Sequence, residues 1–322
     1  MGKPFVRQHI VPKRYLDRFA SQREEKSIIG TRMYKNNEPY FFLEATSNVG
    51  YIKNYYDVTD KDDSKYWEHF FAENIDYLYG TEIRRIISKA TLSPNDIVIL
   101  DEHDKEVLSR AVVAQMLRVP SSIDYMKEIY PRVEKEAKDI IISALPPSLA
   151  NKYRQKIQDT KLDEQWQKEQ FLNLSFAPER YDRYCKLAQD RIWVVYVNTY
   201  RNSMPFVTSD NPVLVERIGR KEIGLFKNGL VDPATCIFYP LSPSVSVASY
   251  SKDGIFSDVI DEVDGKKELL NELGFIIDKN IKIMEQAYRQ SFIPQPFFDR
   301  IMNEDTEPVS WNKGQDIYCQ GN

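Results

Sequence analysis

From about Ser64 to Asp190 the chain is patterned for helices, and on either side of that stretch it is patterned for strands. A fold built on it must therefore close a sheet from both ends of the chain against a helical middle. Between Ser64 and Thr91 the apolar residues Trp67, Phe71, Ile75, Leu78 and Ile86 recur at helical spacing. The same pattern predicts further helices at about 101–119, 121–145, 148–172 and 178–190. After Arg191 the texture changes: Ile192–Tyr200, Pro205–Ser209, Cys236–Pro240 and Val245–Tyr250 are rich in β-branched and aromatic residues, punctuated by turns. Near the start, Ser27–Tyr34 and Tyr40–Leu43 read as a hairpin about the turn Lys35–Pro39. From Asp264 onward a helix is expected through Leu269, Leu270, Leu273, Ile276, Ile277 and Ile281, ending near Ile293-Pro294, with a polar, loosely held tail after Phe298.

The expected class is α+β: a mainly helical middle at about 64–190 with a small, mostly antiparallel sheet formed by the N-terminal and C-terminal segments. No Gly/Ser-rich or Pro-rich linker divides the chain, so residues 1–300 are expected to form one unit, followed by the tail at 301–322. With 322 residues, 42% of them hydrophobic, a core needs neither disulfides nor a structural metal. Apolar stretches such as Ile97–Leu100 and Ile140–Ile142 fall far short of the roughly 20 residues of a spanning helix, so no membrane association is expected. The N-terminus lacks the apolar region of a secretion signal, and the odd, scattered cysteines Cys185, Cys236 and Cys319 suit a reducing cytosol. Cytoplasmic location is the expectation.

A net charge of −4 gives no general attraction for nucleic acid. A local patch would have to do that work, and residues 3–26 do carry seven Lys/Arg against three acidic residues. Between Ser121 and Asp190 the two signs are equal, twelve each, which describes a salt-bridged surface open either to solvent or to a protein partner. The phosphate-binding Gly-rich loops, the His-Glu-x-x-His zinc motif and the Gly-x-Ser-x-Gly elbow are all absent from the sequence.

The opening Gln8-His9-Ile10-Val11-Pro12-Lys13-Arg14-Tyr15-Leu16-Asp17-Arg18-Phe19 reads Gln-His-x-x-Pro-x-x-Tyr-Leu-x-x-Phe. In this it resembles the start of the microbial domain-of-unknown-function 4238 family. Asn54-Tyr55-Tyr56, Glu73, Gln115-Met116-Leu117-Arg118-Val119-Pro120, Thr208-Ser209-Asp210-Asn211-Pro212-Val213 and a helix around Asn271 are similar in the family's order, so the resemblance covers nearly the whole chain. Val119 departs from the Thr expected before the proline, and the central helices are longer than usual. The resemblance implies no known activity; a role in microbial defence is the expectation families of this kind carry.

His9 stands just ahead of a short helix begun by Pro12, where an imidazole can act as acid, base or ligand near neutral pH. The alternative is that Gln8 and His9 hydrogen-bond the start of the chain to the core. Asp210-Asn211-Pro212 follows a strand and is either a functional pair or a turn, Asp210 orienting His9 or holding a cation and Asn211 positioning a substrate. On the helix at 101–119, Gln115 and Arg118 share the arc of Leu108, Ala111 and Val119; Arg118 could grip a phosphate or pair with a buried acid such as Glu73 or Asp210. His69 and Glu73 have the spacing of two metal ligands but lie, with Asp76, opposite Trp67, Phe71 and Leu78, the position of a solvated face. His103, at a helix start, reads as a surface residue.

Two readings follow. In the first the chain is a hydrolytic enzyme, a nuclease or other phosphoester-cleaving effector. His9, Asp210 and Arg118 are then catalytic, Gln8, Asn211 and Gln115 bind substrate, and Glu73 with Asp210 holds Mg²⁺ or Mn²⁺. Its partner would be nucleic acid or a phosphorylated small molecule. In the second the chain is a non-catalytic module that binds a ligand or a protein partner and has a buried polar network.

Overall fold

The chain, seen in a computed structural model, is described over residues 7–35, 38–58, 63–94, 97–160, 163–218 and 229–303. Its N-terminal segment supplies β1 (Arg7–His9), α1 (Lys13–Leu16), β2 (Ser21–Arg23), β3 (Lys26–Lys35), β4 (Glu38–Ala45) and β5 (Tyr51–Lys53). The helical middle follows as α2 (Tyr66–Asn74), α3 (Glu82–Leu92), α4 (Glu102–Arg118), α5 (Pro120–Ala144), α6 (Pro147–Asp159), α7 (Glu164–Ser175) and α8 (Pro178–Gln189). The remainder comprises β6 (Ile192–Asn198), β7 (Thr208–Ser209), β8 (Leu214–Arg217), β9 (Thr235–Pro240), β10 (Val245–Tyr250), α9 (Ile260–Val263), β11 (Lys267–Leu270), α10 (Leu273–Glu285), β12 (Gln290–Ile293) and α11 (Gln295–Asn303).

The expected α+β class is the one observed, with more sheet than expected. One five-stranded sheet, ordered β11-β6-β10-β9-β8, is antiparallel except where β11 runs parallel to β6. Successive strand side chains point to opposite faces. Trp193, Val195, Ile237 and Tyr239 thus join the core of the helical middle, while Ile192, Val194, Phe238 and Ala248 join a second core with Ile276 and Ile283 of α10. A sheet covered on both faces needs apolar residues at every position, which is why Ile192–Val197 is a continuous apolar run.

A second five-stranded sheet, ordered β2-β3-β12-β7 with β4 also on β3, draws the two ends of the chain together, as expected. β3 pairs with β12 at Gly30↔Ile293. Gly30 suits that place because α11 packs on it: a Cβ there would lie 2.4 Å from the Phe298 ring. The third sheet is the pair β1-β5.

Several boundaries differ from expectation. The single helix expected at 64–91 is broken, because Asn74 and Gly80 are poor helix formers and a 3-10 turn at Asp76–Tyr79 separates α2 from α3. The helix expected at 148–172 is two, α7 beginning where the Asp163 carboxylate accepts from the Trp166 N–H at 3.1 Å. Only Thr208–Ser209 pairs within the expected strand 205–209. The segment from Asp264 opens not as a helix but with a turn at Gly265 (φ +72°) and then β11, and it later returns to strand at β12; short apolar runs such as Leu269-Leu270 do not distinguish the two states. α11 is anchored by the buried Phe297 and Phe298 and carries helix on through Asn303, five residues into the stretch expected to be a loose tail. Asn36 and Asn37 of the hairpin turn and residues 304–322 lie outside the described residues.

No helix among the described residues is long and apolar enough to cross a membrane. Cys185 and Cys236 are buried free thiols.

Candidate functional site

The opening motif builds a buried polar cluster. Gln8, fully buried in β1, is satisfied at both ends of its amide: Oε1 accepts from the Tyr56 N–H at 2.5 Å and Nε2 donates to Asp57 Oδ1 at 2.6 Å. Gln115 Nε2 donates to the Ile10 carbonyl at 3.0 Å. Arg118 is 1% exposed; its Nη1 donates to Asp76 Oδ1 at 2.7 Å and its Nη2 to the His9 carbonyl at 2.6 Å. The Tyr56 hydroxyl donates to the Arg118 carbonyl at 2.9 Å, and the guanidinium lies 4.3 Å from the Phe71 ring centroid. Burial alone would depress the Arg118 guanidinium, but the Asp76 carboxylate and Tyr56 more than offset it and hold its charge. The chain is bent into this position by Gly50, at φ +64°, whose carbonyl accepts from the Ile10 N–H at 3.0 Å and whose N–H donates to Gln290 Oε1 at 2.9 Å.

Gln8, His9, Gln115 and Arg118 therefore converge. The acid that pairs with Arg118 is Asp76, not Glu73 or Asp210. His9 joins the cluster through its backbone carbonyl, while its half-buried ring meets Tyr51 edge-on and its Nε2 is buried without a hydrogen-bond partner among the described residues. Burial, with Arg118 and Lys13 nearby, depresses the imidazole against the opposing Thr46 backbone and Asp76, so the ring is neutral at pH 7. Glu68 faces the same charges, and burial, reinforced by Asp76 against Arg118, pushes its carboxyl up to about 7.

The other candidates sit apart from this cluster. Asp210 is buried at the end of β7, where its carboxylate accepts from the N–H groups of Tyr288, Arg289 and Gln290 at 2.7, 2.8 and 2.9 Å. Burial outweighs those bonds and pushes its carboxyl up to about 6. Asn211 and Gln286 exchange amide-to-carbonyl bonds at 3.1 and 2.6 Å. Both residues thus fasten the turn before β12 to β7. Glu73 is exposed on α2, and no group of three or more His, Cys, Asp or Glu side chains suited to a metal occurs among the described residues. His69 and His103 are exposed, as expected, against Asp63 (2.8 Å) and Glu82 (3.4 Å). Asp76 leaves the solvated face assigned to it, because the 3-10 turn breaks the helical phase there.

On the far end of that turn lies a groove lined by arginines. One cavity, of about 570 Å³, is bordered by Arg14, Arg18, Arg84, Gln22 and Thr81. A second, of about 420 Å³, shares Arg18 and Arg84 and adds Arg201, Asn202, Ser242 and Ser244. Among the described residues none of these four arginines forms an ion pair, although the adjacent Arg85 is bound to Glu82 and Asp104. Arg18 donates through Nη2 to the Tyr79 carbonyl, and its Nη1 is buried without a partner. Its guanidinium rests on a buried tyrosine cluster in which Tyr15 stacks on Tyr239 (centroids 5.2 Å apart) and Tyr239 donates to the Tyr79 hydroxyl at 3.0 Å. Burial lowers the Arg18 guanidinium, the neighbouring tyrosines oppose this, and Arg84 adds to it. The Asp17 carboxylate, also at the rim, is occupied by Lys13 at 2.8 Å and by the Thr46 hydroxyl at 2.6 Å.

The profile of the family described as "Protein of unknown function (DUF4238)" matches residues 7–262. The chain belongs to that family. Neither a curated protein nor a solved structure matches it. Both the cluster at Gln8 and Arg118 and the arginine groove fall inside the DUF4238 span, whereas α10, β12 and α11 lie beyond it.

Sequence reasoning put Asp76 of this DUF4238 chain on the solvated face because it carried one helical phase across Asn74, and it did not single out Glu68. It missed the groove as a place, though the basic excess at residues 3–26 contained two of its arginines, Arg14 and Arg18. What separates Arg84 from Arg85 is one carboxylate on the same helix, Glu82 three residues before Arg85, and one brought near by α4, Asp104.

Proposed function

We propose that this protein binds a phosphorylated ligand in the arginine groove, and that the polar cluster of its opening motif is the scaffold that holds the groove's elements in place. The observation that carries the reading is a set of four arginines around two adjoining cavities, none of them paired with a carboxylate among the described residues, one of which, Arg18, has its Nη1 buried and without a partner among those residues. Burying a guanidinium's donors unpaired is costly, and an anion recovers that cost by accepting from them. The Asp76–Tyr79 turn links the two regions: Arg118 grips it at Asp76 and Arg18 at the Tyr79 carbonyl.

Titration with inorganic phosphate at constant ionic strength tests this. Arg84→Gln, at an exposed residue shared by both cavities, is expected to weaken phosphate about tenfold, the effect of one charge-assisted hydrogen bond, without lowering the melting temperature. Equal binding by the two proteins overturns the proposal.

The hydrolytic reading draws support from one place, the His9 ring, whose Nε2 is buried without a partner among the described residues and which feels the Asp76 carboxylate. Arg118 and Asp210 contribute little to it, since their polar atoms are already bonded within the protein. It predicts turnover of phosphodiester substrates with Mg²⁺ or Mn²⁺ that His9→Ala abolishes.

A further inference from the structure

The two cavities are not independent. They share Arg18 and Arg84, and each has an arginine of its own, Arg14 in one and Arg201 in the other. One face of α3 runs from chamber to chamber: Thr81 borders the first, Arg84 both, and Ile87 and Ser88 the second. At 1.5 Å per helical residue, Thr81 to Ser88 spans roughly 10 Å of groove. The first chamber lies at the N-terminal end of α3, where Thr81 makes no side-chain cap and the helix dipole adds to the arginine charge. Gly80 lines the same chamber, and the Arg14 guanidinium lies against it: a Cβ there would stand 2.9 Å from Arg14 Nη1.

The second chamber differs in character. Beside its arginines it presents the apolar edges of Ile87 and Pro243, and the amide of Asn202. Ser242, bonded through Oγ to the Val245 N–H at 3.1 Å, sets the turn that forms its wall. A lone phosphate would use one chamber and leave the private arginine of the other without an anion. From this we infer, building on the phosphate-binding reading above, that the ligand carries two phosphoryl groups on one organic body and lies along α3, one group at Arg14 and the other at Arg201, with Arg18 and Arg84 between them. The chemistry fits a nucleotide with two separate phosphates or a short single strand.

Calorimetric titrations of the full chain with inorganic phosphate, adenosine 3′,5′-bisphosphate, adenosine 5′-monophosphate and a 5′-phosphorylated trinucleotide distinguish the possibilities. The bisphosphate or the trinucleotide is expected to bind at least about tenfold more tightly than the monophosphate, because the second contact becomes intramolecular. Arg201→Gln and Arg14→Gln should each remove most of that gain, so that either variant binds the bisphosphate no more than about threefold more tightly than the monophosphate. Preference for the trinucleotide assigns a strand, and preference for the bisphosphate a small molecule. Phosphate binding with no gain from a second phosphoryl group overturns this inference and leaves the simpler reading standing; absence of phosphate binding removes both.

Discussion

Replacing Arg118 with Met separates scaffold from binding site. The substitution keeps an unbranched apolar stem against Phe71 but deletes the guanidinium, which donates to Asp76 and to the His9 carbonyl. A hydrogen bond to a charged partner contributes about 1.5–3 kcal/mol, and a buried carbonyl left unsatisfied costs about 1 kcal/mol more. Breaking a fully buried ion pair costs about 3–5 kcal/mol. The Asp76 side chain is 28% exposed and can recover part of its hydration, so the loss is placed at the low end, about 3 kcal/mol. Equilibrium urea denaturation followed by far-UV circular dichroism measures it. Asp76→Asn and the double variant complete a cycle whose coupling is expected at about 1–3 kcal/mol, since the two residues are in contact. Phosphate affinity should be unchanged under native conditions. A loss below about 1 kcal/mol with zero coupling refutes the structural assignment, and so does intact stability with lost phosphate binding, which makes Arg118 a ligand group.

Three further outcomes are expected. Because burial holds the Asp210 carboxyl at about 6, the native state keeps that proton to higher pH than the unfolded chain; this stability is complete below about pH 4 and lost as pH rises through about 6, on the order of 2–3 kcal/mol. Asp210→Asn should flatten that part of the stability–pH profile in urea unfolding at pH 4 to 7, and an unchanged slope contradicts it. Gly50→Ala should cost about 2 kcal/mol, because φ is +64° and the new methyl would lie 2.9 Å from Leu16 Cδ1; a thermal melt within a degree of the parent is the opposing result. His9→Ala should cost about 1 kcal/mol by the same unfolding assay and leave phosphate affinity alone, since the ring contributes no hydrogen bond to Arg118.

Much of the fold was legible because it rests on periodicity. Trp67, Phe71 and Ile75 are buried on one face as their spacing required, and the β-branched and aromatic texture of Ile192–Tyr200 marked the strand that forms there as β6. Breaks were harder to see: Asn74 and Gly80 interrupt a helix whose apolar pattern continues across them, and that interruption turned Asp76 from a solvent residue into the partner of Arg118. Leu269-Leu270 fits a helix or a strand equally well, and only pairing with Val197 and Asn198 of β6 decides it. The polar cluster was half legible. A glutamine and an arginine on an apolar arc must find partners. Which partners, and whether they include backbone carbonyls such as those of His9 and Ile10, depends on contacts between residues more than 100 positions apart. The groove is a tertiary product of the same kind, formed where Arg14, Arg84 and Arg201 meet from three distant segments.

Arginine side-chain Nε–Hε resonances, followed by NMR during titration with inorganic phosphate, test the division of labour between groove and scaffold most directly. The account predicts saturable shifts at Arg18 and Arg84 with Arg118 unmoved, because Arg118 is sealed against Asp76 and the His9 carbonyl. Shifts at Arg118 or the His9 ring with the groove arginines silent would contradict it.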